Sequence, residues 1–139
     1  MTLVPPPKLP AEAILEVFVY PVNQDSALDP ANPYSDSRRL EFLGRMLIQP
    51  AYLAAVCKRR PRIGGDELGD KAGVTLDRFM EKNATAYQWH KRVRGYPDGV
   101  NPDSPDEARR LFCTFAGAVR VAFGYDVLAE WISDLVSDP

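Results

Sequence analysis

The stretch Arg39-Leu40-Glu41-Phe42-Leu43-Gly44-Arg45-Met46-Leu47-Ile48 decides the fold. Leu40, Leu43, Leu47 and Ile48 recur at helical spacing, and Ser35 or Asp36 stands just upstream as an N-cap. The pattern predicts a helix over residues 37–58, the strongest in the chain. Pro50 is expected to kink that helix or split it, because an internal proline removes a donor and crowds the carbonyl four residues back. Lys58-Arg59-Arg60-Pro61 reads as its end: the cations suit the negative pole of the helix dipole, and Pro61 blocks continuation.

On the N-terminal side, a polar loop punctuated by prolines, residues 23–36, precedes this helix, and loops of that length usually carry function or motion. Before it, residues 11–20 begin as a helix after Pro10, with a β-branched end that reads equally as a strand. Downstream, Gly64-Gly65 turns the chain. Residues 66–72 make a weak helix start and residues 74–93 a better one. A turn-rich linker, residues 95–103, leads to Ser104-Pro105-Asp106-Glu107, a capping box with proline at the first helical position. The helix that follows is apolar on almost every side through Leu111, Phe112, Phe115, Ala116, Val119 and Val121, so it is expected to be the buried centre. Gly124 ends it, and residues 125–136 form a last amphipathic helix. No strand-like alternation or internal repeat stands out, and the fold class is all-α.

Composition narrows the function. The 139 residues suit one domain with a single core, residues 11–139, behind a proline-rich extended tail, residues 1–10. A net charge of −2 argues against a protein whose main task is coating nucleic acid, which relies on clustered cations. No run of roughly 18 apolar residues is apparent, so no membrane span is expected. Cys57 and Cys113 lie far apart in apolar patterns without CxxC spacing, which suggests buried thiols in a reducing compartment. One histidine, His90, with no cysteine cluster offers neither a zinc site nor a convincing catalytic triad. There is no glycine-rich phosphate loop, and no cofactor is expected. The tail has neither a secretory nor a transit character, so the expected location is intracellular, cytoplasm or mitochondrion.

Arg39-Leu40-Glu41-Phe42-Leu43-Gly44 resembles the heart of the ribonuclease III signature, N-E-R-L-E-F-L-G-D. A second segment, Phe115-Ala116-Gly117-Ala118-Val119 with Gly124 beyond it, is similar to the family's second site helix. Residues 14–23 resemble the first family helix, so the likeness runs over most of the chain in the right order. In active members, carboxylates from the two site helices hold Mg²⁺, which demands hard oxygen ligands. Carried over residue by residue, the resemblance leaves one of them. Glu41 occupies the central Glu position; Arg45 replaces the terminal Asp and Arg38 the earlier Glu. On the second helix the family's Glu and Asp fall on Cys113 and Arg110.

The four main ligand positions, Glu41, Arg45, Arg110 and Cys113, would carry a charge of about +1 here, where an active site offers about −4. A cation placed 4 Å from a metal ion costs about 4 kcal/mol at an effective dielectric near 20. Glu41 and Arg45, spaced i,i+4 with the acid first, are expected to pair with each other. The resemblance therefore implies a catalytically degenerate domain. Family members dimerise through the signature helix, which by resemblance places Leu40, Phe42, Leu43 and Met46 at an interface with a second copy or another ribonuclease III-like chain; otherwise Phe42 is a core residue of its own chain. One expectation is a structural module within an RNA–protein assembly such as a mitochondrial ribosome. Another is an RNA-binding module using Lys58, Arg59, Arg60 and Arg62, or Lys91, Arg92 and Arg94 beside His90, Tyr87 and Trp89, with Arg38, Arg45 and Arg110 lining the former metal cleft. A nuclease with displaced acids would use Glu41 with Asp106 or Glu107.

Overall fold

The computed structural model describes residues 3–21 and 31–136. Most of the polar loop before the signature helix lies outside them, as do the last two residues of the segment resembling the first family helix. The described chain is all-helical: α1 (Ala11–Val17), α2 (Ser37–Arg59), α3 (Gly65–Asp70), α4 (Leu76–Ala86), α5 (Pro105–Phe123) and α6 (Tyr125–Leu135). A π-helical turn, Lys71–Thr75, joins α3 to α4, and a 3-10 turn, Trp89–Lys91, follows α4.

Helix α5 is the centre, as its unbroken apolar pattern predicts. Every residue from Leu111 to Val119 is buried, and α1, α2, α4 and α6 pack around it. Ser104 caps it, its Oγ accepting from the Glu107 amide at 3.2 Å. The expected capping box is only half made, because the Glu107 carboxylate turns to Arg110. An aromatic cluster fills the space beside α5: Trp89 stacks on Phe115 at 4.3 Å and Phe112 on Trp131 at 5.3 Å.

Two features differ from the sequence expectation, and a third settles an alternative that it left open. Helix α2 runs unbroken through Pro50, capped by Asp36, whose carboxylate accepts from the Arg38 amide at 2.8 Å. Pro50 and Met46, the residue whose carbonyl loses its partner, are both exposed, so water can satisfy that carbonyl. Helix α4 stops at Ala86 because Gln88 takes a left-handed conformation, with φ +58°, and the chain re-enters as the 3-10 turn. The β-branched end of α1 becomes extended, with Arg94 N–H donating to the Phe18 carbonyl at 2.9 Å and Tyr20 N–H donating to the Arg94 carbonyl at 2.8 Å. The proline-rich tail is extended but docked: Leu9 is buried, and Val4 accepts from the Tyr87 hydroxyl at 2.6 Å.

By length and composition alone α2 is long and apolar enough to cross a membrane, although Glu41, Arg45 and Gln49 interrupt its apolar sequence. Its apolar character is divided between two faces. Leu40, Ile48, Ala51, Tyr52, Ala55 and Val56 enter the core, while well under half of its most apolar window is buried.

Candidate functional site

The two segments that carry the family resemblance meet backbone to backbone. A Cβ added at Gly44 would lie 1.8 Å from the Cys113 carbonyl oxygen, and one at Gly117 would lie 2.0 Å from that of Leu40. Neither obstacle is a side chain that can swing aside, so only hydrogen fits at either position. The contact fixes the register of α2 on α5. It sets Glu41 and Arg45, on either side of Gly44, close enough for their charges to act on the Cys113 thiol.

Around this crossing the polar groups are matched in pairs. Arg45 Nη2 donates to Glu41 Oε2 at 2.5 Å, the pairing that their spacing predicts. Cys113 is buried with its Sγ 3.7 Å from Met80 Sδ, and burial is the main cause that pushes its thiol up to about 12. Smaller, opposing influences come from Arg45, Glu41, Asp77 and Arg109. Asp77 and Glu81 belong to α4, and Arg109 on α5 binds Glu81 at 2.5 Å and Asp106. Arg110, expected in the cleft, makes a two-pronged pair with buried Glu107, one arm at 3.1 Å, and lies 5.1 Å from the Tyr20 ring centre. The buried Tyr96 hydroxyl beside them has no hydrogen-bond partner of good geometry among the described residues, and its ionisation is pushed up chiefly by burial, then by Glu107.

The expected arginine-lined cleft is corrected accordingly. Arg45 and Arg110 are each paired with an acid, as is Arg109 beside them, while Arg38 is exposed and makes no ion pair among the described residues. A third helix, α4, also contributes to the rim. Asp77 and Glu81, at i,i+4 on α4, are the sequence signal that would have revealed its contribution. Among the described residues no three His, Cys, Asp or Glu side chains gather as metal ligands. Asp106 and Glu107, the candidate displaced acids, are each held by an arginine of α5.

The outward face of α2 is different in kind. Phe42 is 66% exposed and Met46 52%, so Phe42 is not a core residue of its own chain. Leu53 is half-buried and Cys57 exposed on the same side at helical spacing, which corrects the expectation of two buried thiols. Leu43 is half-buried. Leu40, expected at an interface, is 1% exposed and committed to the chain's own core.

The two basic clusters also differ from each other. Arg60 pairs with Glu67 at 2.5 Å and Arg59 donates to the Ser133 carbonyl at 3.1 Å, leaving Lys58 and Arg62 without a described partner. Lys91, Arg92 and Arg94 are exposed and have no carboxylate in ion-pair reach among the described residues. The aromatics beside them do not offer stacking faces: Trp89 is 1% exposed, and Tyr87 stacks on it while bonding to Val4 and Trp131. His90 lies 3.4 Å from Asp103 on a small cleft of about 130 Å³, below the roughly 300 Å³ at which ligand sites begin.

With this geometry the fold is that of the ribonuclease III nuclease domain. The nuclease domain of ribonuclease III from Campylobacter jejuni matches with a TM-score of 0.72 over 89% of this chain and 84% of that one, at 12% sequence identity. That structure is described for flexibility in the region involved in its dimer formation. At such identity the likeness establishes the fold alone. No protein-family profile matches the sequence, and no curated protein does.

Proposed function

We propose that this chain is a catalytically silent ribonuclease III-type domain that works as a dimerising structural module. The observation that carries the reading is the uncovered apolar stripe on α2, where Phe42 and Met46 stand exposed on the helix that also anchors the core. A solvated helix face is ordinarily polar, and an uncovered apolar stripe fits a protein partner. The structural neighbour forms a dimer, which is in keeping with dimerisation as such. The partner is a second copy or another chain of the same fold, in an RNA–protein assembly of which a mitochondrial ribosome is one example.

The silent site follows from the rim. Glu41 is the single family acid retained, and it is tied to Arg45. Where the chemistry asks for oxygen ligands around Mg²⁺, the corresponding positions offer a guanidinium and a neutral thiol. A cleavage assay on long double-stranded RNA with Mg²⁺ or Mn²⁺ is expected to give no product; product that disappears in Glu41→Gln overturns the silent site. Sedimentation of the chain alone and mixed with RNA tests the module. Self-association independent of RNA supports it, whereas a strict monomer that binds duplex RNA with steep salt dependence favours an RNA-binding module instead.

A further inference from the structure

The end of α1 and the segment after the 3-10 turn enclose an open groove of about 430 Å³, within the roughly 300–1,000 Å³ of binding clefts. Its walls are held in place by the two backbone hydrogen bonds between Arg94 and residues Phe18 and Tyr20. Leu15, 66% exposed, and Val19, 45% exposed, give it an aliphatic surface. Lys91, Arg92 and Arg94 line the other side, and the Arg92 guanidinium sits 4.2 Å from the Phe18 ring centre. Like several other surface cations, these three have no acid in ion-pair reach among the described residues, but they line a groove together with exposed aliphatic side chains.

We infer that this groove docks a short acidic, amphipathic segment of a partner protein. Its apolar side chains would cover Leu15 and Val19, and its carboxylates would meet Lys91, Arg92 and Arg94. The alternation of aliphatic surface and unmatched cations selects that chemistry over RNA. Bases are gripped by exposed planar rings, but Phe18 is 5% exposed and roofed by Arg92, and Trp89 is buried. Leu15 and Val19 offer nothing to stack on. The inference uses no residue of α2, so it stands or falls apart from the dimer reading.

The test is an amide-resolved NMR titration of the full chain with a capped 14-residue peptide carrying Leu and Phe at helical spacing and Glu elsewhere. A control peptide has every Glu replaced by Lys. Saturable shifts confined to Leu15, Val19 and residues 91–94, weakening with salt and absent with the control, are the expected result. Lys91→Glu with Arg94→Glu should weaken binding tenfold or more, and Leu15→Asp, at an exposed site that does not threaten the fold, should do likewise. No saturable binding, equal binding of the two peptides, or indifference to both variants overturns the inference. So does a single-stranded RNA that produces the same shifts and displaces the peptide.

Discussion

Along its inner face α2 carries Leu40, Gly44, Ile48 and Ala51, all buried, while Phe42 and Met46 on its outer face stand in solvent. The inner face is specified to the atom: Gly44 meets the Cys113 carbonyl, and no larger residue fits. The outer face mixes apolar Phe42 and Met46 with exposed Arg45 and Gln49, and none of the described residues covers the two apolar side chains. One helix thus carries a packed face and, under the proposed function, a face for a partner. Polar pairs such as Glu41–Arg45 mark the boundary between them.

The largest effect should come from breaking the inner face. Gly117→Ala drives a methyl into the Leu40 carbonyl and should cost about 3 kcal/mol or more in urea unfolding, at the upper end of overpacking. Gly44→Ala should cost as much, but the double variant less than the sum, since either one alone parts the helices. Additive losses would mean that the two contacts are independent. On the outer face, Phe42→Ala should weaken self-association by about 2 kcal/mol, read by sedimentation, and leave monomer stability within about 0.5 kcal/mol.

A pH-dependent effect is read in alkali. The Cys113 thiol has its folded pKa raised to about 12 from an ordinary 9.0, so the folded chain keeps a proton that the unfolded chain releases. Its contribution is complete below about pH 9 and lost as the pH climbs toward 12, by at most about 1.4 kcal/mol per pH unit. Cys113→Ala should flatten that decline. In the native chain iodoacetamide should alkylate Cys57 alone, and rapid modification of Cys113 would contradict its burial. The smallest effect belongs to the boundary: Glu41→Ala should cost only about 0.3–0.5 kcal/mol, because an exposed i,i+4 pair is weak.

Much of the frame was legible in the residues. Helical spacing located α2, the apolar run in α5 named the centre, and Ser104-Pro105 marked where α5 begins. The i,i+4 rule also foresaw the Glu41–Arg45 pair. What escaped depends on neighbours distant in sequence. Pro50 does not split α2, because solvent on that side absorbs its missing bond. The cleft's arginines are largely matched, because Glu81 crosses from α4 to Arg109 and Glu107 claims Arg110. Leu40 and Phe42, two residues apart, point to opposite fates, which periodicity alone cannot assign when both sides of a helix carry apolar residues.

The glycine crossing has a consequence for how such a domain changes over time. Where two helices are locked through main-chain atoms, their angle and register owe nothing to the side chains on either flank. The side chain at an exposed position beside the crossing, such as 45, can then change in charge without moving the main-chain contact. A frame pinned in this manner is free to drift in chemistry while keeping its shape.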